Sequence, residues 1–128
     1  MPAMREFLLI GAGAVLGANM RYWLTSLFTA RFGTSFPYGT LVINITGSFL
    51  LGLVLVLISN RIAVDPGYRL LIGTGFLGAY TTFSAFSYDT IALLQRGDLM
   101  QATVNAVASL LGSLFAAYLG ITLAQWIG

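Results

Sequence analysis

The stretch GAYTTFSAF, Gly78 to Phe86, sets a helix-weakening glycine, hydroxyls at Thr81, Thr82 and Ser84, and two phenylalanines three residues apart inside an otherwise apolar segment. Gly73 and Gly75 precede it and weaken the helix further, so the chain is expected to break there. At membrane depth no water satisfies the backbone groups a break releases, and hydroxyl side chains take over that task. Broken spanning helices characteristically set free carbonyls at ion sites, which makes this stretch a candidate to hold a cation through backbone oxygens. The rings need a separate account. An aromatic ring has a negative face and a positive edge, so Phe83 and Phe86 either meet a small anion edge-on, form an apolar constriction, or simply pack.

Other polar residues sit inside apolar runs, where each must face protein or water. Thr40, Asn44, Ser48 and Gly52 recur every four residues, which sets them in one drifting stripe of a helix, and Asn105, Ser109 and Ser113 repeat the spacing later in the chain. Amides and hydroxyls offer hydrogen-bond donors to an anion without a fixed charge that would trap it. A single serine of this kind is ordinarily interhelical glue, as the small residues Gly13, Gly17, Gly112, Ala116 and Gly120 are. Two stripes that both carry asparagine point instead to a pathway. Arg21 lies within the first apolar run, at an insertion cost of about 2.5–3.5 kcal/mol if central. It either neutralises anions gathering in a vestibule or pairs with backbone carbonyls or an acid such as Asp89.

These residues must be positioned by membrane-spanning helices. With 58% hydrophobic residues, 8% charged and a mean hydropathy of +0.89, the chain cannot cover itself with a water-compatible surface, and lipid is its solvent. A span needs about 20 apolar residues. Four such segments are expected, at about 5–30, 40–59, 68–95 and 99–127, separated by Gly33–Gly39, the polar loop Asn60–Gly67 and the tight Arg96-Gly97-Asp98 connection. The apolar start runs past signal-peptide length and is read as the first span. No loop is long enough for a soluble domain, so residues 1–128 form one four-helix membrane domain.

Composition also narrows the chemistry. The absence of histidine and cysteine removes the usual zinc, copper and iron–sulfur ligands, thiol chemistry and histidine acid–base catalysis, and no enzyme is expected. A net charge of +2 from six arginines and four acids gives no basic patch for nucleic acid. Four crossings put Arg5, Arg61 and Arg69 at one membrane face and Arg31 and Arg96 at the other. So feeble a bias fits either insertion in both orientations with antiparallel self-pairing or one weakly signalled topology.

At GANMRYW in the first segment, GTLVINITGSFLLG in the second, GTGFLGAYTTFSAFSYDT in the third and ASLLGSLFA in the fourth, the sequence resembles the Fluc (CrcB) fluoride channels over essentially its whole length. The resemblance implies an all-α integral membrane protein: four transmembrane helices, the third broken near mid-membrane, paired as an antiparallel, dual-topology homodimer in a cell inner membrane. It implies two fluoride pathways and a structural sodium ion (Na+) at the dimer interface, held by the backbone carbonyls of Gly78 and Thr81. Asn44 would line the pathway with Phe83, Phe86, Ser84, Thr82, Ser113, Ser109 and Thr40, and Arg21 would sit at the vestibule. The family often carries glycine where this chain has Ala79 and Tyr80. Fluoride would leave passively, driven by the membrane potential.

The residues leave two other classes to compare. A small proton-coupled multidrug exporter needs a membrane-embedded acid, for which the chain offers Glu6 at an edge and Asp89 after the break. A non-transporting assembly subunit would use the polar stripes as interhelical glue alone.

Overall fold

The computed structural model describes residues 2–61 and 63–128. It comprises α1 (Pro2–Phe32), α2 (Tyr38–Ser59), a π-helical stretch Arg69–Leu77 that runs into the single turn α3 (Gly78–Tyr80), then α4 (Phe83–Gln95) and α5 (Leu99–Ile127). No strand occurs among the described residues. Four helical segments are long and apolar enough to cross a membrane: Ala3–Phe32, Tyr38–Ser59, Arg69–Gln95 and Leu99–Ile127.

Local chemistry sets the connections. α1 ends at Gly33, whose φ of +79° suits glycine, and Pro37 precedes α2. At the other tight turn Gly97 takes φ +80°, with its N–H on Leu94 O (2.9 Å) and the Asp98 N–H on Leu93 O (3.0 Å). That closes α4 in a Schellman motif. The Asp98 carboxylate then accepts the Gln101 N–H at 3.1 Å and starts α5, so three residues end one span and cap the next. In the longer loop Asp65 accepts from Arg5 (2.8 Å) and from the Gly67 N–H (2.7 Å), tying the loop to the start of α1. The Arg5 guanidinium and that N–H hold the exposed carboxyl below the usual carboxylate range.

Two helix pairs make up the bundle, α2 against α5 and α1 against the π-helical stretch. Both rely on the absence of side chains. A Cβ on Gly120 would overlap the Phe49 carbonyl, and one on Gly13 or Gly17 would overlap the carbonyls of Leu71 and Phe76. Lipid provides no hydrophobic drive between helices, so backbone-to-backbone approach of this kind supplies the dispersion that holds them. In the π-helical stretch the Gly78 N–H reaches back five residues to Gly73 O. The widened turn rests its carbonyls in the flat strip formed by Gly13 and Gly17.

Ile43, Leu77 and Tyr80 form the buried core, with Leu24, Leu51, Ile72 and Phe76 packed around it. The Tyr80 ring stacks on Phe76 (centroids 6.1 Å, planes 9° apart). Its hydroxyl meets Thr46 Oγ1 at 2.9 Å, and Thr46 itself donates to Val42 O. Outside the core the surface is apolar: Leu8, Val15, Trp23, Leu111, Phe115 and Trp126 all lie exposed. Such a surface belongs in lipid, and the protein is a multi-pass membrane protein.

Candidate functional site

The α-helical backbone stops after Tyr80. Thr81 (φ −82°, ψ 156°) and Thr82 (φ −153°, ψ 114°) are extended, and α4 resumes at Phe83. Space for this comes from Gly47 on α2, where a Cβ would overlap the Thr81 methyl and lie 3.1 Å from the Tyr80 ring.

Several of the backbone groups at the break find side-chain partners. Asn44 clamps Thr82 from both sides: its Nδ2 donates to Thr82 O at 3.0 Å, and its Oδ1 accepts the Thr82 N–H at 2.8 Å. The Thr82 hydroxyl caps α4 by accepting the Ala85 N–H at 3.1 Å, with Ser84 Oγ also 3.1 Å away. Arg21 reaches across from α1, its Nε donating to Ala79 O at 3.0 Å. The N–H groups that an α-helix would offer to the carbonyls of Gly78 and Thr81, those of Thr82 and Ala85, are therefore committed to side chains.

Beside the clamp runs a groove of about 330 Å³ between α2, the extended residues and α5. Asn44 and Ser48 line it from α2, Ser109 and Ser113 from α5. Thr82, Phe83 and Phe86 close the third side, with ring centroids 5.5 Å apart and planes tilted 49°. Phe83 is 79% exposed, so its ring is unspent on the interior of this chain. The lining thus combines amide and hydroxyl groups with aromatic rings and the aliphatic Leu110, Leu114 and Ala117, and no ionised side chain contributes to it.

A second cavity, of about 320 Å³, holds Arg21, Thr25, Thr40, Asp89 and Arg96. Thr82 lines both spaces and stands where they meet. Two guanidinium groups against one carboxylate make this cavity the cationic side.

Most of the polar candidates read from the sequence are thereby brought together, but not all. Asn44, Thr82, Phe83, Phe86, Ser109 and Ser113 share the groove, and Thr81 lies on its wall. Thr40 is four residues from Asn44 yet opens into the cationic cavity with Arg21. Ser84 is exposed beside Thr82, and Gly78 is exposed with nothing nearer than Gly73 O, 3.6 Å from where its Cβ would stand. Sequence reasoning gave Asn44 no backbone partner and left Arg21 undecided between a vestibule, carbonyls and Asp89; its hydrogen bond goes to a carbonyl. Asn105, read with Ser109 and Ser113 as one polar stripe, does not line the groove. It is fully buried, donates from Nδ2 to Thr90 Oγ1 at 2.9 Å and accepts from Ser109 at 3.4 Å through Oδ1.

Comparison with known proteins is consistent in direction. The family model described as "CrcB-like protein, Camphor Resistance (CrcB)" matches residues 8–121. A curated protein of Chloroflexus aurantiacus (strain ATCC 29366 / DSM 635 / J-10-fl), named "Fluoride-specific ion channel FluC", is 42% identical over 125 residues, 98% of this chain and 99% of that protein. Proteins of the same name from Koribacter versatilis (strain Ellin345) and Shewanella baltica (strain OS155 / ATCC BAA-1091) are 56% identical over 97 residues (75% of this chain, 76% of that protein) and 45% identical over 117 residues (91% and 94%).

Proposed function

Because the chain belongs to the CrcB family of ion channels, which are not enzymes, we propose that it is a fluoride-selective channel exporting cytoplasmic fluoride passively down its electrochemical gradient. The observation that carries this reading is the groove. It gathers Asn44, Ser109, Ser113, Phe83 and Phe86 into one space with amide, hydroxyl and aromatic lining and no ionised side chain.

Fluoride approaches through the cationic cavity, where Arg21 and Arg96 offset the repulsion of Asp89. Thr40 and Thr82 line this entrance, and Ser84 adds a hydroxyl beside Thr82. In the groove, lost hydration is replaced by several weak donors in series, enough to enter and too weak to hold. Asn44 spends one amide hydrogen on Thr82 O and keeps a second for the anion. The edges of Phe83 and Phe86 supply the positive rim of the ring quadrupole.

The functional unit is an antiparallel homodimer in a bacterial inner membrane, with two such pathways. A second copy would cover the exposed Phe83 ring, and the balanced arginines let both orientations insert. The third crossing is one span broken near mid-membrane at Thr81–Thr82. The carbonyls of Gly78 and Thr81, released from helical hydrogen bonding, suit a hard cation, which prefers oxygen ligands. No group of three or more His, Cys, Asp or Glu competes for that role among the described residues. Gly78 and Thr81 would hold a sodium ion there, whose charge supplies a fixed positive centre at the dimer interface.

Efflux from liposomes tests the reading, using purified protein, ion-selective electrodes and valinomycin to clamp the potential. Rapid fluoride release without chloride supports it. Release of neither ion, or of both alike, refutes it. The exporter reading is disfavoured by the surroundings of Asp89, since a cavity shared with Arg21 and Arg96 repels a cationic substrate.

A further inference from the structure

We infer that Asn105, which does not line the groove, is a positioning residue that decides whether the Ser109 hydroxyl meets a passing anion as a donor or as a lone pair. The inference rests on the fluoride-channel reading and concerns how one of its groove groups is set.

Three hydrogen bonds run in series behind the groove wall. Thr90 Oγ1 donates to Phe86 O at 2.8 Å, Asn105 Nδ2 donates to Thr90 Oγ1 at 2.9 Å, and Ser109 Oγ donates to Asn105 Oδ1 at 3.4 Å. Their directions are coupled. Thr90 has one hydroxyl hydrogen and gives it to Phe86, so toward Asn105 it can only accept. The amide must then present its NH₂ to Thr90 and its oxygen to Ser109. Ser109, a residue of the groove lining, has one hydrogen as well, and it goes to Asn105. In this state Ser109 shows the groove lone pairs, which repel an anion.

Turning the Asn105 amide over reverses the chain. Nδ2 then donates to Ser109 Oγ, and the Ser109 hydrogen is released into the groove as a donor. Two features set the balance between the states. Asn105 is 2% exposed, so its amide has no water to fall back on and must choose between Thr90 and Ser109. The Ser109 bond, at 3.4 Å, is the longest of the three and the first that an anion would break. Thr90 therefore biases the amide toward the state in which Ser109 is withheld, although it is not part of the groove lining. The same relay ties the backbone of Phe86 to Ser109, so an aromatic and a hydroxyl element of the groove share one hydrogen-bond direction.

The test is Thr90→Val, which keeps the shape of Thr90 and removes the acceptor that holds the Asn105 amide. Efflux is measured from liposomes across a series of fluoride concentrations. The concentration giving half-maximal efflux should fall about two- to tenfold, the worth of one neutral hydrogen bond. Thr90→Ser, which restores the oxygen, should behave as the unsubstituted protein. In a Ser109→Ala background the Thr90→Val effect should vanish, since the relay has nothing left to turn. A half-maximal concentration unchanged by Thr90→Val, or a shift that survives in Ser109→Ala, overturns the inference while leaving the channel reading intact. An unsubstituted protein that passes no fluoride overturns both. If Thr90→Val does not fold, Thr90→Ala with the same Ser109 background decides the matter by the same readout.

Discussion

Replacing Asn44 by alanine would remove both arms of the clamp on Thr82, the 3.0 Å bond to its carbonyl and the 2.8 Å bond from its N–H. Each is worth about 0.5–1.5 kcal/mol net, so the pair contributes about 1–3 kcal/mol to holding residues 81–82 extended. The groove adjoins Thr82, and water entering there can partly satisfy the two orphaned groups, which keeps the expected loss within that range. In population terms the ordered break becomes about five- to 150-fold less favoured. Asn44→Asp separates the clamp from the donor. Its carboxylate still accepts the Thr82 N–H, but its other oxygen faces the Thr82 carbonyl, and its charge repels fluoride. The assay pairs fluoride efflux from liposomes with thermal unfolding in detergent. Asn44→Ala should lose both flux and melting temperature; Asn44→Asp should lose flux at least as severely. Flux and melting temperature both unchanged in Asn44→Ala would refute the idea that this side chain sets the break.

Phe83→Ile and Phe86→Ile should each impair fluoride flux, and Phe83→Ile should do so with little change in the melting temperature of the monomeric fold, because its ring is exposed; full transport in both argues against ring-edge contacts. Gly17→Val drives a side chain into the Phe76 carbonyl and should destabilise by about 1–3 kcal/mol or more, whereas Gly11→Ala meets nothing within 4 Å and should be neutral or slightly stabilising; equal melting temperatures would refute the close-approach argument. The Asp65 carboxyl titrates below its unfolded value of about 3.9, so its contribution is present above that pH and lost as pH falls through the lower folded value. Asp65→Asn should mimic the acid form at neutral pH, with faster hydrogen exchange at the Gly67 amide and unchanged fluoride flux; unaltered exchange would show that the loop does not depend on the pair.

The four apolar spans were legible because lipid imposes one rule, about 20 apolar residues per crossing, that composition alone reveals. Helical spacing also showed that Ser109 and Ser113 face one way, since that relation lies within one helix. It was less informative where a second element intervenes. Thr40, Asn44 and Ser48 form one stripe in sequence, yet Thr82 crosses beside Asn44 and divides the stripe between two spaces. Register along α2 carries no information about a neighbour arriving from residue 82. The π-helical stretch was equally hidden: Gly73 and Gly75 signal a weak helix, but the extra residue per turn is selected by the carbonyls that settle on Gly13 and Gly17. Tyr80 was unreadable for a similar reason, its hydroxyl finding Thr46 through tertiary packing alone.

The widened helical stretch Arg69–Leu77 has an evolutionary consequence. A π-helical turn is an α-helix that has absorbed an insertion, and removing one residue from it would restore ordinary winding. Such a deletion would leave the flanking segments in phase but tighten the turn, drawing the Leu71 and Phe76 carbonyls away from Gly13 and Gly17 or pulling on the residues that follow. The next anchor is the Asn44 clamp, only a few residues on. A lineage carrying the deletion would have to relinquish either the contact on Gly13 and Gly17 or the grip on Thr82. Length in this segment is therefore constrained at both ends, by the glycine strip of α1 on one side and by the Asn44 clamp on the other.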